Sequence, residues 1–161
     1  MDLERWLTGF KALHEKAKQG DLAGPELRDY RARRYEMERA LLAAQDLTRP
    51  PGQQRRQSLR VARALQVELV RGGEKDRLTT FDVSMGGFAA PMASAPILGE
   101  TLVATVRLPG VESLVAPVKV VGARPQSGSV RVSFAFGRLE PAAAERLEHA
   151  IVDMVLAQFE A

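Results

Sequence analysis

The chain has 161 residues, 45% of them hydrophobic, with no cysteine and a formal net charge of +3. That is enough apolar material for one ordinary domain, or a small domain with an appendage, and it argues against wholesale disorder. The lack of cysteine excludes disulfides, thiolate nucleophiles and thiolate metal ligands, and so mild a charge implies no whole-molecule attraction to nucleic acid.

Residues 1–48 read as helix. Leu3, Trp6, Leu7, Phe10 and Leu13 recur at three- and four-residue steps, the spacing of one helix face. The opening "MDLERWLTGFKALHEK" is charged from its second residue and has no basic region followed by an apolar run, so it does not read as a secretory signal. No stretch approaches the roughly eighteen apolar residues that a membrane span needs. A cytoplasmic location is expected. "QGDLAGPEL" interrupts the first helix, with Gly20 suited to a C-terminal stop and Pro25 to a first helical position. A second helix is predicted from about 25 to 47, with Leu27, Tyr30, Met37, Leu41 and Ala44 on one face and Arg34 interrupting it. A short connection between two amphipathic stripes predicts an antiparallel helical hairpin. Its apolar faces are too large for an isolated pair in water, so residues 1–48 are expected to pack, self-associate or capture a protein partner. The two histidines, His14 and His149, each lie in a helix-like stretch among Glu and Lys or Arg, as solvated helix histidines would.

"LTRPPGQQRR" is a linker by composition, because Pro50-Pro51-Gly52 cannot continue a helix. Residues 49–55 are assigned to this linker and the start of an arginine-rich arm, and 56–161 to a single β-rich domain. Here the hydrophobic period changes to two. "LRVARALQVELV" reads as one long twisted strand, "RGGEKDR" as a turn, and "RLTTFDVS" and "GGFAAPM" as short strands around a bend. "GETLVATVRLPG" alternates and turns at Pro109-Gly110. "SLVAPVKVVGAR" carries Pro117, which predicts an edge position or a bulge, and "PQSGS" turns into "VRVSFAF". Six strands at intervals near ten residues predict a small antiparallel barrel or sandwich. "EPAAAERLEHAIVDMVLAQFEA" is a closing helix begun by Pro141, with Leu147, Ala150, Ile151, Met154, Val155 and Phe159 on its apolar face.

The informative charge is local. Arg55, Arg56, Arg60 and Arg63 fall within nine positions, and the nearest acids in sequence are Asp46 and Glu68. A one-sign block calls for a partner. One strand and a turn further on comes "DVSMGG", a D-x-S-x-x-G pattern formed by Asp82, Ser84 and Gly87. Either motif alone is weak; an arginine pair four apart followed by D-x-S-x-x-G is much more specific. The combination resembles the PilZ domain family, bacterial receptor modules for cyclic di-GMP. The resemblance covers roughly residues 53–137, carried by "RQSLR" and "DVSMGG", and does not reach residues 1–48. It implies an α+β, mainly β fold: a six-stranded antiparallel barrel with a C-terminal helix, here preceded by the helical hairpin.

The implied ligand fits the chemistry of these residues. Guanidinium is planar, always charged and forked, so it pairs with phosphate oxygens or a guanine O6/N7 edge and stacks on bases. An ionised Asp82 accepts from the N1–H and N2–H of guanine. Ser84, two residues on, faces the same side of its strand, and Gly86 and Gly87 allow positive φ and a close backbone approach. The resemblance implies that Arg56 and Arg60 wrap the ligand from an arm while Asp82, Ser84 and Gly87 form a platform. Arg55 is basic where members that hold two ligand molecules are often basic. Arg131 in "VRVSF" stands where the family often has glycine, and either adds a phosphate contact or crowds the ligand.

No nucleophile–base pair, metal cluster or P-loop is visible, so neither enzymatic activity nor a metal or other cofactor is expected. Three functions compete: a cyclic di-GMP receptor that signals through its helices, a ligand-blind PilZ-like adaptor, and a nucleic-acid binder using the arginines of 49–63. The third has the least support, with no base-reading helix and few exposed aromatics for stacking.

Overall fold

The computed structural model describes residues 2–160. The chain divides into two compact units, one running through Leu59 and including the chain end from Leu156, the other Arg60–Val155.

In the first unit, helix α1 is Leu3–Lys18 and helix α2 is Pro25–Leu47. The Asp2 carboxylate accepts from the Glu4 and Arg5 amides, at 3.1 and 3.4 Å, and so satisfies donors that the first turn of α1 leaves open. Pro25 starts α2 as the sequence predicts. The helices run antiparallel. Phe10 and His14 both stack on Tyr30, with centroids 5.7 and 5.9 Å away, and Trp6 stacks on Phe10 at 5.3 Å. His14 departs from expectation. It is buried rather than solvated, and its Nδ1 lies 2.7 Å from the Tyr30 hydroxyl. A partner on another helix satisfies the ring, and the pattern of one helix cannot reveal that. His149 is half-buried, with Nε2 3.7 Å from the Glu145 carboxylate.

In the second unit one curled antiparallel sheet has eight strands: β1 Val61–Ala62, β2 Gln66–Arg71, β3 Glu74–Thr79, β4 Asp82–Ser84, β5 Gly87–Met92, β6 Thr101–Val106, β7 Leu114–Gln126 and β8 Ser129–Phe136. Their order is β1-β4-β5-β8-β7-β6-β2-β3. Alternation sends Val67, Leu69, Val83, Phe88, Leu102, Val106, Val118, Val132 and Phe134 to the buried face. The six predicted segments are present, but two of them are broken, which gives eight strands rather than six.

Both breaks occur at one corner, and Thr80 explains them. Its buried hydroxyl accepts from the Leu65 amide at 2.9 Å and donates to the Arg63 carbonyl at 2.6 Å. Its amide donates to the Leu65 carbonyl at 2.9 Å, and the Arg63 amide donates to the Phe81 carbonyl at 3.2 Å. A side chain thus replaces ladder bonds where the strands bend from the β2–β3 pair into the β1–β4 pair. Thr80→Val keeps the shape and leaves the buried Leu65 amide without its acceptor, which costs about 1–3 kcal/mol. Denaturant unfolding is expected to show that loss, and an unchanged midpoint would mean the hydroxyl does not hold the corner.

Two other expectations change. In "RGGEKDR" only Gly72 and Gly73 form the turn, both with positive φ, and Glu74–Arg77 belong to edge strand β3, where polar side chains meet solvent. Pro117 lies in β7, between β6 and β8, so it is on no edge strand. Its ladder with β8 ends at Val118–Phe136, and the Pro117 carbonyl accepts from Gly137 at 2.7 Å, so its missing N–H falls just past the end of β8. The β7 irregularity comes later, between Val120 and Gly122.

Helix α3 is Pro141–Gln158, with Leu147, Ala150, Ile151, Met154 and Val155 buried as predicted. Phe159 lies beyond it and is exposed. No helix is long and apolar enough to cross a membrane among the described residues.

Candidate functional site

The D-x-S-x-x-G segment builds the β4–β5 hairpin. Strand alternation sends Val83 inward and leaves Asp82 and Ser84 on the opposite face. Ser84 closes the turn. Its hydroxyl accepts from the Gly86 amide at 3.1 Å and lies 3.4 Å from the Gly87 carbonyl, toward which it donates. Ser84, expected as part of the platform, is therefore buried and already engaged in holding the hairpin. Gly86 ties this turn to β8, because its carbonyl accepts from Phe136 at 2.9 Å.

Gly87 is required by close approach rather than by a left-handed turn. A Cβ built there would lie 1.9 Å from the Phe134 carbonyl oxygen of β8. Any side chain at position 87 would force β5 and β8 apart.

Register then assembles a surface that sequence spacing does not show. Asp82 pairs with Ala89 and Ala89 with Ser133, while Ser84 pairs with Gly87 and Gly87 with Ala135. On the face of Asp82, between it and β7, thus lie the buried Ala89 and the half-buried Ser133, with Gly122 beyond them. That floor carries only small side chains. Ala89, Ser133 and Ala135 escape sequence reading because pairing with β8 decides their neighbours. The only signal available is the alternation of small and aromatic residues in "SFAF".

Arg131 enters the same surface from β8, opposite Pro91 of β5. Its Nη2 donates to Asp82 Oδ2 at 2.9 Å, and its guanidinium lies 4.9 Å from the centroid of the Phe81 ring. The side chains of Arg131 and Asp82 are only 18% and 19% exposed. Phe81, the residue just before the motif, is the other participant that sequence reasoning missed.

The arginine arm falls partly in each of the two units. Arg60, half-buried, directly precedes β1 in the second unit. Arg55 and Arg56 lie in the first unit, exposed, in a segment without helix or strand. The block is not free of acid in space. Asp46, on α2, lies 2.9 Å from Arg49 and 3.3 Å from Arg55, and Arg49 donates to the Gln53 carbonyl at 2.6 Å. The helix end thereby holds the linker's first residues.

No group of His, Asp and Glu suited to a metal ion occurs among the described residues. The cavity lined by Gln66, Glu68, Arg77, Thr105 and Arg107 lies at the β3–β2–β6 end of the sheet order, and Asp82 is not among its lining residues.

A search of curated proteins finds no match. Among solved structures, the inhibitor of motility MotI/DgrA of Bacillus subtilis superposes with a TM-score of 0.58 at 22% identity, over 68% of this chain and 57% of that one. The PilZ domain of YcgR from Escherichia coli, solved with c-di-GMP, gives 0.57 at 17% identity, over 66% of this chain and 96% of that one. The c-di-GMP complex of MrkH from K. pneumonia gives 0.57 at 20% identity, over 68% and 56%. This chain thus spans little more than half the length of MotI and MrkH. Likeness at these identities speaks for the fold. The family model described as PilZ domain matches residues 54–153, well over half of the sequence, and on that ground the chain belongs to the PilZ domain family.

Proposed function

We propose that this protein is a cyclic di-GMP receptor without enzymatic activity, in which Arg55, Arg56 and Arg60 close over a ligand seated against Asp82, Gly86 and Gly87. The observation that carries the reading is the outward Asp82 beside a floor of Ala89 and Ser133, in a family member that keeps both arginines and the whole D-x-S-x-x-G. Asp82 would read the guanine Watson–Crick edge, the guanidiniums would take phosphates and stack on bases, and Ser84 would act by holding the hairpin in shape. Isothermal calorimetry with cyclic di-GMP is the direct test, and two ligands per chain would support a role for Arg55.

The Arg131–Asp82 ion pair supports a second reading, the ligand-blind adaptor, because the acceptor that guanine needs already has a partner. Absence of any calorimetric signal, both in wild type and in a variant without the Arg131 guanidinium, would favour that reading.

In the receptor, the output would run through the linker. Residues 53–57 are exposed and outside regular structure, and Leu59 is the first buried apolar anchor after Pro51. Ligand closure on the arm would draw Arg55 from Asp46 and fix the linker, altering how residues 1–48 meet a partner protein or a second copy. Hydrogen exchange with and without cyclic di-GMP is expected to slow across 53–60. Slowing confined to 82–87 would remove the arm from the mechanism.

A further inference from the structure

The site holds its own competitor for the ligand. We propose that Arg131 is a latch: in the free protein it occupies Asp82 and covers the floor, and a guanine base binds only by displacing it. The inference rests on the receptor reading and adds what sets that site's affinity.

The geometry behind it is the sheet order. Asp82 is on β4 and Arg131 on β8, with β5 between them. Neighbouring strands lie about 4.8 Å apart, so a contact from β8 to β4 crosses roughly twice that distance. Arginine is long enough, and β5 presents only Ala89 and Pro91 beneath the crossing. The side chain therefore lies over the surface on which a base would rest. At its end Nη2 takes Asp82 Oδ2, one of the two oxygens that would receive guanine N1–H and N2–H.

Three features hold the latch closed. The pair is mostly sheltered from water, which strengthens its attraction. The guanidinium lies over Phe81, adding a cation–π contact. On its other flank Arg131 pairs with Arg124 of β7, a like charge that disfavours swinging back. A ligand that binds only the open arrangement has its affinity reduced by the fraction of molecules that are open.

The test is calorimetry of full-length wild type, Arg131→Ala and Arg131→Gln with cyclic di-GMP, alongside Asp82→Asn and the double variant Asp82→Asn/Arg131→Ala. Thermal melts verify folding, and Gln keeps most of the side-chain length if Ala unfolds. Removing the guanidinium is expected to tighten binding about tenfold. The gain should shrink to less than about twofold in the Asp82→Asn background, where no carboxylate remains to be latched. Binding by Arg131→Ala or Arg131→Gln when wild type shows none would also support the latch. Equal or weaker binding by folded Arg131 variants, with wild type binding, overturns the latch and leaves the receptor standing. If neither wild type nor the Arg131 variants bind, the receptor reading falls, and the latch with it.

Discussion

Asp82→Ala is expected to weaken cyclic di-GMP binding by about ten- to a hundredfold, since a hydrogen-bonding partner to a charged group contributes about 1.5–3 kcal/mol. Arg56→Ala and Arg60→Ala are expected to do the same, for a different reason. Asp82 would supply acceptors to the base, whereas the arginines would supply charge to phosphates and a flat surface for stacking. Salt separates the two roles: contacts to phosphate weaken as ionic strength rises, while a sheltered carboxylate–guanine contact is screened much less. The prediction is sharpened by Arg131. Although Asp82 and Arg131 form one ion pair, alanine at the first should weaken binding and alanine at the second should tighten it. A purely structural ion pair would give losses of the same sign at both. Wild-type affinity in all three alanine variants would dismiss the site assignment.

The largest expected loss of stability is at Phe10. The ring is fully buried, with Trp6, His14 and Tyr30 stacked on it or beside it. Phe10→Ala removes the centre of that stack and leaves a cavity, and such changes cost about 3–5 kcal/mol. Circular dichroism on heating would show it, with the near-ultraviolet signal of Trp6 lost before or together with the helical signal. A melting temperature within about a degree of wild type would mean the stack does not hold α1 to α2, since even 1 kcal/mol moves a domain of this size by several degrees. A large loss would show that the packing of α1 on α2 is centred on Phe10.

What the sequence shows and what it conceals divide along one line, the range of the interaction. The β4–β5 hairpin is legible because Ser84, Gly86 and Gly87 shape it within four residues. So are Pro25 and Pro141 as helix starts, since a proline acts on its own turn. The breaks at Arg63–Leu65 and Thr80–Phe81 are not, because they depend on a hydroxyl fifteen residues from the amide that it satisfies. The burial of His14 is hidden for the same reason: its partner Tyr30 is on the other helix. In the site, the arginines and the acid can be named from spacing, but the floor between Asp82 and Arg131 exists only through the register of β5 with β8. Asp46 is visible as the nearest acid to the arginine block, but its reach to Arg55 depends on the fold of the Pro50–Gln53 turn.

The sheet order has a consequence for aggregation. A sheet with β1 and β3 at its two ends has two borders that pair with a strand on one side only, and such borders invite strands from other molecules. Here neither offers a template. β1 is two residues long, too short to register a foreign strand, and it is preceded by arginines. β3 opens with Glu74, Lys75, Asp76 and Arg77, and an incoming strand would have to desolvate those charges. The run that reads as a turn because it is so polar serves as a guard on the sheet's border, sparing an open, curled sheet from edge-to-edge growth without closing its last seam.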